Sequence, residues 1–364
     1  MNIKTREPAR RLPAPLDRSK PVWVAPMAGG VSRPELVIAA ARAGHFSQLA
    51  AGYKSADAMN AEIRQVRDSG ADVFGVNLFV PNLHLVDRDD YDTYARSLHA
   101  TAARFDYAMG FGVPREDDDD WDAKIAALVA NPVPVVSFTF GLPDVEVINQ
   151  LREIGTATMQ TVTSVEEARE SEAAGVDVLM VQGFAAGGHS GIWKRDALPA
   201  DTSLVELVRE VRATTQLPLA AAGGIDNATA VRATLAAGAD AIGVGTLALR
   251  STESGASTLY KNALADPAYI ETRLTRAFTG RPARALVNQF VLDHDAMSIS
   301  GYPAVHHLTR PLRQVAAHIG DATAVHLWAG MGWRSARDDA LSEILAELSP
   351  GSPSSRSAHA GPSA

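Results

Sequence analysis

The chain has 364 residues, a formal net charge of −8, 46% hydrophobic residues and no cysteine. This acidic balance argues against a nucleic-acid-binding protein, which needs a basic surface, and the lack of cysteine excludes disulfides, thiolate nucleophiles and cysteine-linked cofactors. Because no run of 18 apolar residues occurs and the extended lead-in over residues 1–20 lacks the apolar core of a signal peptide, we expect no membrane span and a cytoplasmic protein.

Eight apolar segments have the composition of buried strands, and helix-like segments separate them. The strands are predicted at residues 22–28, 45–50, 73–79, 135–141, 156–162, 178–183, 218–225 and 241–246. The intervening helices carry start signals at Ser32, Ser55 and Ser164, and four of them end at Gly44, Gly70, Gly175 and Gly238. Eight strands alternating with helices predict an α/β fold of the (β/α)8 TIM barrel type.

The alternation is interrupted in two places. The third crossover is long enough to hold an insertion at about residues 82–132, where the acidic run at 116–120 indicates a solvated face rather than a metal site. After residue 263 the alternation of strands and helices stops. We therefore predict a barrel over residues 21–263, a smaller and mainly helical C-terminal cap domain over 264–348, and a disordered tail over 349–364.

Glycine turns follow the seventh and eighth predicted strands. In a (β/α)8 barrel the loops at the carboxyl ends of these two strands are the usual phosphate site, because backbone amides there are free to bind an anion. The residues concerned are Gly223 and Gly224, and then Gly243, Val244, Gly245 and Thr246. A pair of such turns predicts a phosphate-bearing ligand.

The ends of the other strands indicate which ligand this is. Ala25, Pro26 and Met27 end the first strand and can cover the face of a planar ring, while Asn77 and Gln182 bring amides that can bind its polar edges. Asn77 has a second interpretation, as part of a buried polar network. FMN fits this combination better than a sugar phosphate, which would need more charged partners, and nothing in it requires a metal.

The loop after the sixth strand, with the sequence QGFAAGGHSG at 182–191, places one histidine among glycines. Gly187 and Gly188 let the backbone approach a ligand closely, so that His189 would lie over it. Taken alone, the loop is better explained by an ordinary turn with a structural histidine. The glycine turns downstream favour a ligand site. His189 would supply positive charge if protonated, or act as a general base if neutral.

Several motifs in this order and spacing resemble the nitronate monooxygenases, class I. They are VWVAPMAGG, FGVNLFVP, QGFAAGGHSG, LAAAGGI, AIGVGT and AFTGRPAR, followed by YPAVHHLTRPLR and LWAGMGW, and they span about residues 20–335. The resemblance implies a barrel with a helical domain, noncovalent FMN, and oxidation of nitronates by O₂ to carbonyl compounds and nitrite or nitrate. It places FMN contacts on Met27, Asn77, Gln182, Gly187, Gly224 and the 243–246 turn, and the active-site histidine on His189.

Two cap residues, Tyr302 and Arg310, would then hold a substrate carboxylate such as that of propionate 3-nitronate. The loop departs from the family pattern at Ala185, where glutamate is common, and at Ser190, where arginine is frequent, which puts the substrate range in question. Two other functions fit the same barrel. One is an FMN-dependent NAD(P)H reductase of a quinone or enoyl thioester, and the other is a flavin-binding protein without catalysis.

Overall fold

The computed structural model describes residues 11–81, 85–110 and 112–350; the start of the predicted lead-in and all but two residues of the predicted tail lie outside these ranges. The strands are β1 (Lys20–Val24), β2 (His45–Ala50), β3 (Gly75–Phe79), β4 (Val135–Thr139), β5 (Ala157–Val162), β6 (Val178–Gln182), β7 (Gly188–His189), β8 (Leu219–Ala222), β9 (Ala241–Val244), β10 (Thr272–Thr275) and β11 (Ala283–Leu286). The helices are α1 (Pro34–Arg42), α2 (Ala56–Asp68), α3 (Arg88–Ser97), α4 (His99–Arg104), α5 (Trp121–Ala130), α6 (Val145–Glu153), α7 (Val165–Ala174), α8 (Leu204–Arg212), α9 (Ala228–Ala236), α10 (Thr258–Ala265), α11 (Gln289–His294), α12 (Ala304–His318) and α13 (Leu341–Leu348).

Eight parallel strands, β1 to β6, β8 and β9, close into a barrel in that order, and β9 pairs back onto β1. The predicted (β/α)8 fold is confirmed, and each predicted segment overlaps one barrel strand. Several predicted strands run too far at the carboxyl end. β1 stops at Val24, one residue before the Ala25-Pro26 step, because proline has no amide to donate to the sheet, and β8 stops before Gly223, whose φ is +123°.

The helix boundaries follow local signals with one exception. The Ser55 and Ser164 side chains accept hydrogen bonds from the amides of Ala58 and Glu167, as N-caps do. The prediction for Ser32 was wrong. Its hydroxyl accepts from the Met27 amide at 2.9 Å, and α1 begins instead with a proline in its first turn. The four glycines predicted at helix ends all have positive φ, at 82°, 82°, 88° and 116° for Gly44, Gly70, Gly175 and Gly238.

The amino-terminal half of the barrel interior is filled with side chains. Trp23 and Phe46 pack edge to face inside it at 5.0 Å, while Val22 and Val24, on the other face of β1, pack toward the surrounding helices. Leu16 of the lead-in is fully buried against this cluster. It lies in a short 3₁₀ turn, so the lead-in is not extended throughout. The cavity of the molecule therefore opens at the opposite, carboxyl end of the strands.

The cap has its own hydrophobic core, and it recruits part of the predicted insertion. Tyr91 and Tyr94 of α3 are buried in the same cluster as Phe278 and Leu312 of the cap, whereas α5 packs with the barrel helices. Three short strands, in the order β10, β11, β7, link the cap to the histidine loop. Helix α13 falls within the predicted cap range but contacts α1 and α9 on the outside of the barrel, because its apolar face completes that helix layer. Within the described ranges no helix is long and apolar enough to cross a membrane.

Candidate active site

A cavity of about 500 Å³ lies at the carboxyl ends of the barrel strands, under the cap. This volume is within the usual range for small-molecule sites. The residues predicted from the sequence that line it are Ala25, Pro26, Met27, Asn77, Gln182, Gly187, Gly188, His189, Gly223, Gly224, Gly243, Val244, Gly245, Thr246 and Arg310. No aspartate or glutamate of the described chain lines this cavity, so it suits a ligand that is anionic or rich in acceptors.

The two glycine turns form one side of the cavity. Gly224 has φ +74°, and a Cβ there would lie 2.8 Å from the Cβ of Ala185, so a larger residue would collide with the histidine loop. Within the described part of the chain, the backbone amides of Gly224 and Gly245 have no hydrogen-bond acceptor. Unpaired amides at the end of a barrel are the donors that a phosphate group requires.

The two predicted amide side chains are partly occupied by the protein itself. Asn77 donates from Nδ2 to the Ser137 and Thr139 hydroxyls at 2.8 and 3.0 Å, so the polar-network interpretation describes its donor side. Gln182 donates to the His189 carbonyl at 3.2 Å and accepts from the Gly191 amide at 2.6 Å. Gln182 therefore shapes the histidine loop, besides lining the cavity.

His189 is held from both its backbone and its ring. Its backbone pairs with Ala283 in the cap sheet, and its Nε2 lies 2.9 Å from the Thr279 hydroxyl. The ring packs against Phe140, Tyr302 and Trp328 at centroid distances of 5.7, 5.9 and 5.1 Å. The histidine is thus fixed where the barrel loop meets the cap.

Burial, with smaller contributions from the nearby Arg281 and Arg313, lowers the pKa of His189 to about 3. At neutral pH the imidazole is therefore uncharged. This favours the general-base alternative for His189, and the positive charge of the site has to come from another group.

That charge comes from helix α12, one face of which lines the cavity. His306, Arg310, Arg313 and Gln314 all contribute to this wall at helical spacing. Arg310, the predicted substrate contact, is exposed, while Arg313, which sequence reasoning missed, is only 4% exposed. The signal was present in the motif YPAVHHLTRPLR, but the pattern did not show which of its two arginines is buried.

Tyr302, the other predicted substrate contact, belongs to an aromatic cluster behind the cavity wall and does not line the cavity. Its hydroxyl lies 3.5 Å from that of Tyr53, and its ring contacts Phe140. Tyr53 does line the cavity, with its ring stacked on His306 at 4.3 Å. Burial raises the pKa of Tyr53 to about 12, so this hydroxyl stays protonated.

A second buried arginine supports the histidine loop. Arg281 is 1% exposed, lies 3.9 Å from the centre of the Phe140 ring, and donates from Nε to the Ser190 carbonyl at 3.2 Å. It also donates to the Ile192 carbonyl. The Arg281 guanidinium therefore lies beside Ser190, the position at which arginine is frequent in the family.

The acidic run is not merely a solvated face. Asp119 accepts from the backbone amide of Tyr53 at 2.7 Å and forms an ion pair at 2.8 Å with Lys124, which is 1% exposed. Asp117 pairs with His307 of α12 at 2.9 Å. The run thus ties the loop that carries Tyr53 to the cap. No group of acidic residues and histidines suited to a metal ion occurs in the described ranges.

Comparison with known proteins identifies the family. The profile of the nitronate monooxygenase family matches residues 15–351. A protein of Staphylococcus saprophyticus called a probable nitronate monooxygenase is 35% identical over 323 residues, which cover 86% of this chain and 89% of that protein. A protein of the same name from Staphylococcus aureus strain Newman is 31% identical over 349 residues, covering 93% and 96%. The chain belongs to the nitronate monooxygenase family and is an oxidoreductase.

Solved structures agree with this assignment. The structure of nitroalkane oxidase from Streptomyces ansochromogenes superposes with a TM-score of 0.86 at 47% identity, over 90% of this chain and 94% of that one. FabK from Thermotoga maritima has a TM-score of 0.70 at 23% identity, over 92% of each chain, which shows a shared fold alone. Family and neighbour together support the oxidation of nitronates or nitroalkanes.

Proposed function

We propose that this chain catalyses the FMN-dependent oxidation of alkyl nitronates by O₂ to carbonyl compounds and nitrite or nitrate. The observation that carries the proposal is the charge of the cavity. Its walls contain the buried guanidinium of Arg313 and, within the described chain, no carboxylate. A nitronate is an anion, and a cavity that contains a buried guanidinium and no carboxylate among the described residues favours it over a neutral substrate.

The residues present fit FMN. The Gly224 and Gly245 amides can hold the phosphate, while Ala25, Pro26 and Met27 give an apolar wall for a flat ring. When bound, FMN would supply the redox chemistry by accepting electrons from the substrate. The chain itself has to bind the anion, orient it and keep water out.

His189 gives the site its limited capacity to act on neutral nitroalkanes. An uncharged imidazole can take a proton from the α-carbon, but a pKa near 3 makes it a weak base. The anion formed beside it would raise that pKa by charge attraction. Preformed nitronates avoid this step, so we expect them to react faster.

The test is anaerobic mixing of the purified protein, loaded with FMN, with ethyl nitronate and separately with NADH or NADPH. We expect the flavin absorbance near 450 nm to bleach with the nitronate and to recover with O₂ as nitrite or nitrate forms. Rapid bleaching by NAD(P)H together with inertness toward nitronates would replace the proposal with the reductase function. A protein that binds no FMN would contradict both functions.

A further inference from the structure

Arg313 is buried in the cap without a carboxylate partner among the described ion pairs. Its Nε donates to the Thr309 hydroxyl at 3.1 Å, its Nη1 to Nδ1 of His326 at 2.9 Å, and its Nη2 to Nδ1 and the carbonyl of His306 at 3.3 and 3.1 Å. A single guanidinium therefore contacts two histidine rings, and both rings line the cavity.

These contacts fix the tautomer of both histidines. A guanidinium has five N–H donors and no acceptor, so each Nδ1 that faces it must accept and cannot carry a proton. In a neutral imidazole the remaining proton is then on Nε2. Burial lowers the pKa of His306 and His326 well below the ordinary value, with Arg313 as the second cause, so both rings are neutral.

One of the resulting donors is unpaired. His306 is only 6% exposed, and its buried Nε2 has no hydrogen-bond partner in the described structure. A buried N–H without an acceptor destabilises a fold, and native proteins rarely leave one unless a ligand completes it. The residue lines the cavity, which indicates where that ligand would lie.

Both rings are close to His189. Trp328 packs against His189 at 5.1 Å and against His326 at 5.3 Å, and Tyr302 lies 5.9 Å from His189 and 6.4 Å from His306. The three histidines therefore share aromatic neighbours, and all three line the cavity.

We propose that His306 and His326 bind the oxygen atoms of the nitronate through Nε2–H, with Arg313 as the positioning residue that fixes both tautomers. This rests on the proposed function. When a neutral nitroalkane reacts, His189 takes the α-carbon proton, the C–H electron pair forms the C=N bond, and an N=O pair moves onto oxygen. The charge therefore develops on the two atoms that the imidazole donors hold, as in an oxyanion hole.

The first test reads the tautomers directly. Long-range ¹⁵N–¹H NMR of the FMN-loaded protein, labelled in histidine only, should show His306 and His326 as neutral Nε2–H tautomers at pH 7. In Arg313→Lys, which keeps the charge but loses the forked donor geometry, at least one ring should populate the Nδ1–H form. An Nδ1–H tautomer at either ring of the unaltered protein would overturn the proposal, and that reading does not depend on whether the variant folds.

The second test measures binding of propionate, an unreactive isostere of ethyl nitronate, by calorimetry with the FMN-loaded protein. His306→Phe and His326→Phe keep a ring and remove the donor, and each should weaken the Kd by about tenfold or more. His294→Phe removes a buried histidine that pairs with Thr101 elsewhere in the cap, and it should change the Kd by less than about twofold. Folded His306 and His326 variants that bind propionate normally, or an unaltered protein that does not bind it, would refute the subsite.

The outcomes separate this inference from the proposed function. A protein that oxidises nitronates while both phenylalanine variants keep full propionate affinity retains its function and loses the subsite. A protein that binds propionate through both histidines but oxidises no nitronate retains the anion subsite, while its assignment to nitronates is wrong.

Discussion

The Thr279 hydroxyl lies 2.9 Å from Nε2 of His189 and donates its own proton to the Arg281 carbonyl at 3.4 Å. We infer that the hydroxyl, with its proton directed to that carbonyl, accepts from Nε2–H of the histidine. The lone pair of His189 is then on Nδ1. Thr279 thus gives the neutral imidazole the tautomer that a general base needs.

We therefore expect Thr279→Val to impair the oxidation of neutral nitroalkanes more than that of nitronates. Losing one hydrogen bond that orients the base is worth roughly 1 to 3 kcal/mol, or about ten- to a hundredfold in kcat/KM for nitroethane. The value for ethyl nitronate should fall less than about tenfold. Thr279→Ser should restore most of the loss, and equal losses for both substrates would show that Thr279 does not act through proton transfer.

The sequence could predict those parts of the site that depend on residues close together along the chain. It could not predict the parts that depend on contacts between residues far apart in sequence. The period of apolar residues and the glycine turns are local, and they located all eight barrel strands and the glycine turns that line one side of the cavity. The burial of Arg313 is not local. It depends on contacts of α12 with Phe278, upstream of the helix, and with His326, downstream of it. Arg310, in the same motif, looks equivalent in sequence.

The insertion illustrates the same limit. Its acidic run has the composition of a solvated face, and only the fold brings Asp119 to the Tyr53 amide, 66 residues earlier in the chain. Likewise Tyr91 and Tyr94 join a core formed mainly by residues after 245, a pairing that no periodic pattern encodes. The sequence identified the insertion but not the core that its helices join.

Asp119→Asn should destabilise the protein. The substitution leaves the ammonium of Lys124 buried without its counter-ion. Removing one member of a buried ion pair lowers the free energy of unfolding by about 3 to 5 kcal/mol. Because Asp119 is partly exposed, we expect a loss of about 2 to 4 kcal/mol. Urea unfolding measures the effect. Asp118→Asn, at an exposed neighbour, should cost less than about 1 kcal/mol. Adding Lys124→Met to Asp119→Asn should recover part of the loss, and if it recovers none the ion pair is not the cause.

Lowering the pH should destabilise the fold even at pH values above those at which carboxylates titrate. The pKa of His189 drops from 6.5 to about 3 on folding, and those of His306 and His326 also fall. Between the unfolded and folded pKa values the unfolded chain binds protons that the fold excludes. This stabilisation is therefore complete above about pH 6.5 and is lost as the pH falls toward 3.

The melting temperature should accordingly decrease steadily from pH 7 to pH 5. The raised pKa values of Asp119 and Glu167 act in the opposite direction, since burial favours their protonated forms as the pH falls. The double variant His306→Phe, His326→Phe should show a shallower decrease over the same window. A melting temperature that is constant from pH 7 to 5 would mean that the buried histidines are not held neutral.

Gly224→Val should prevent retention of FMN. The position has φ +74°, and its Cβ would lie 2.8 Å from that of Ala185, so the turn must move and the free amide moves with it. The measurement is the FMN content of the purified protein, by absorbance and by fluorescence after denaturation. Gly155→Val introduces a similar backbone strain at φ +80° with open space around it, remote from the cavity, and should keep FMN. A folded Gly224→Val protein with full FMN would place the phosphate elsewhere.

His189→Asn tests the base itself. The variant should keep FMN, because the glycine turns are on other loops, and should largely abolish oxidation of neutral nitroalkanes, which requires a proton to leave carbon. Preformed nitronates need no base, so they should lose only a contact worth roughly 1 to 3 kcal/mol, or about ten- to a hundredfold. In the unaltered protein, nitroethane deuterated at the α-carbon should react more slowly than the protonated compound, because a base with a pKa near 3 makes proton removal the slow step. Equal loss for both substrates would assign His189 to a step they share, and no loss for either would leave it a structural residue at the junction of the barrel and the cap.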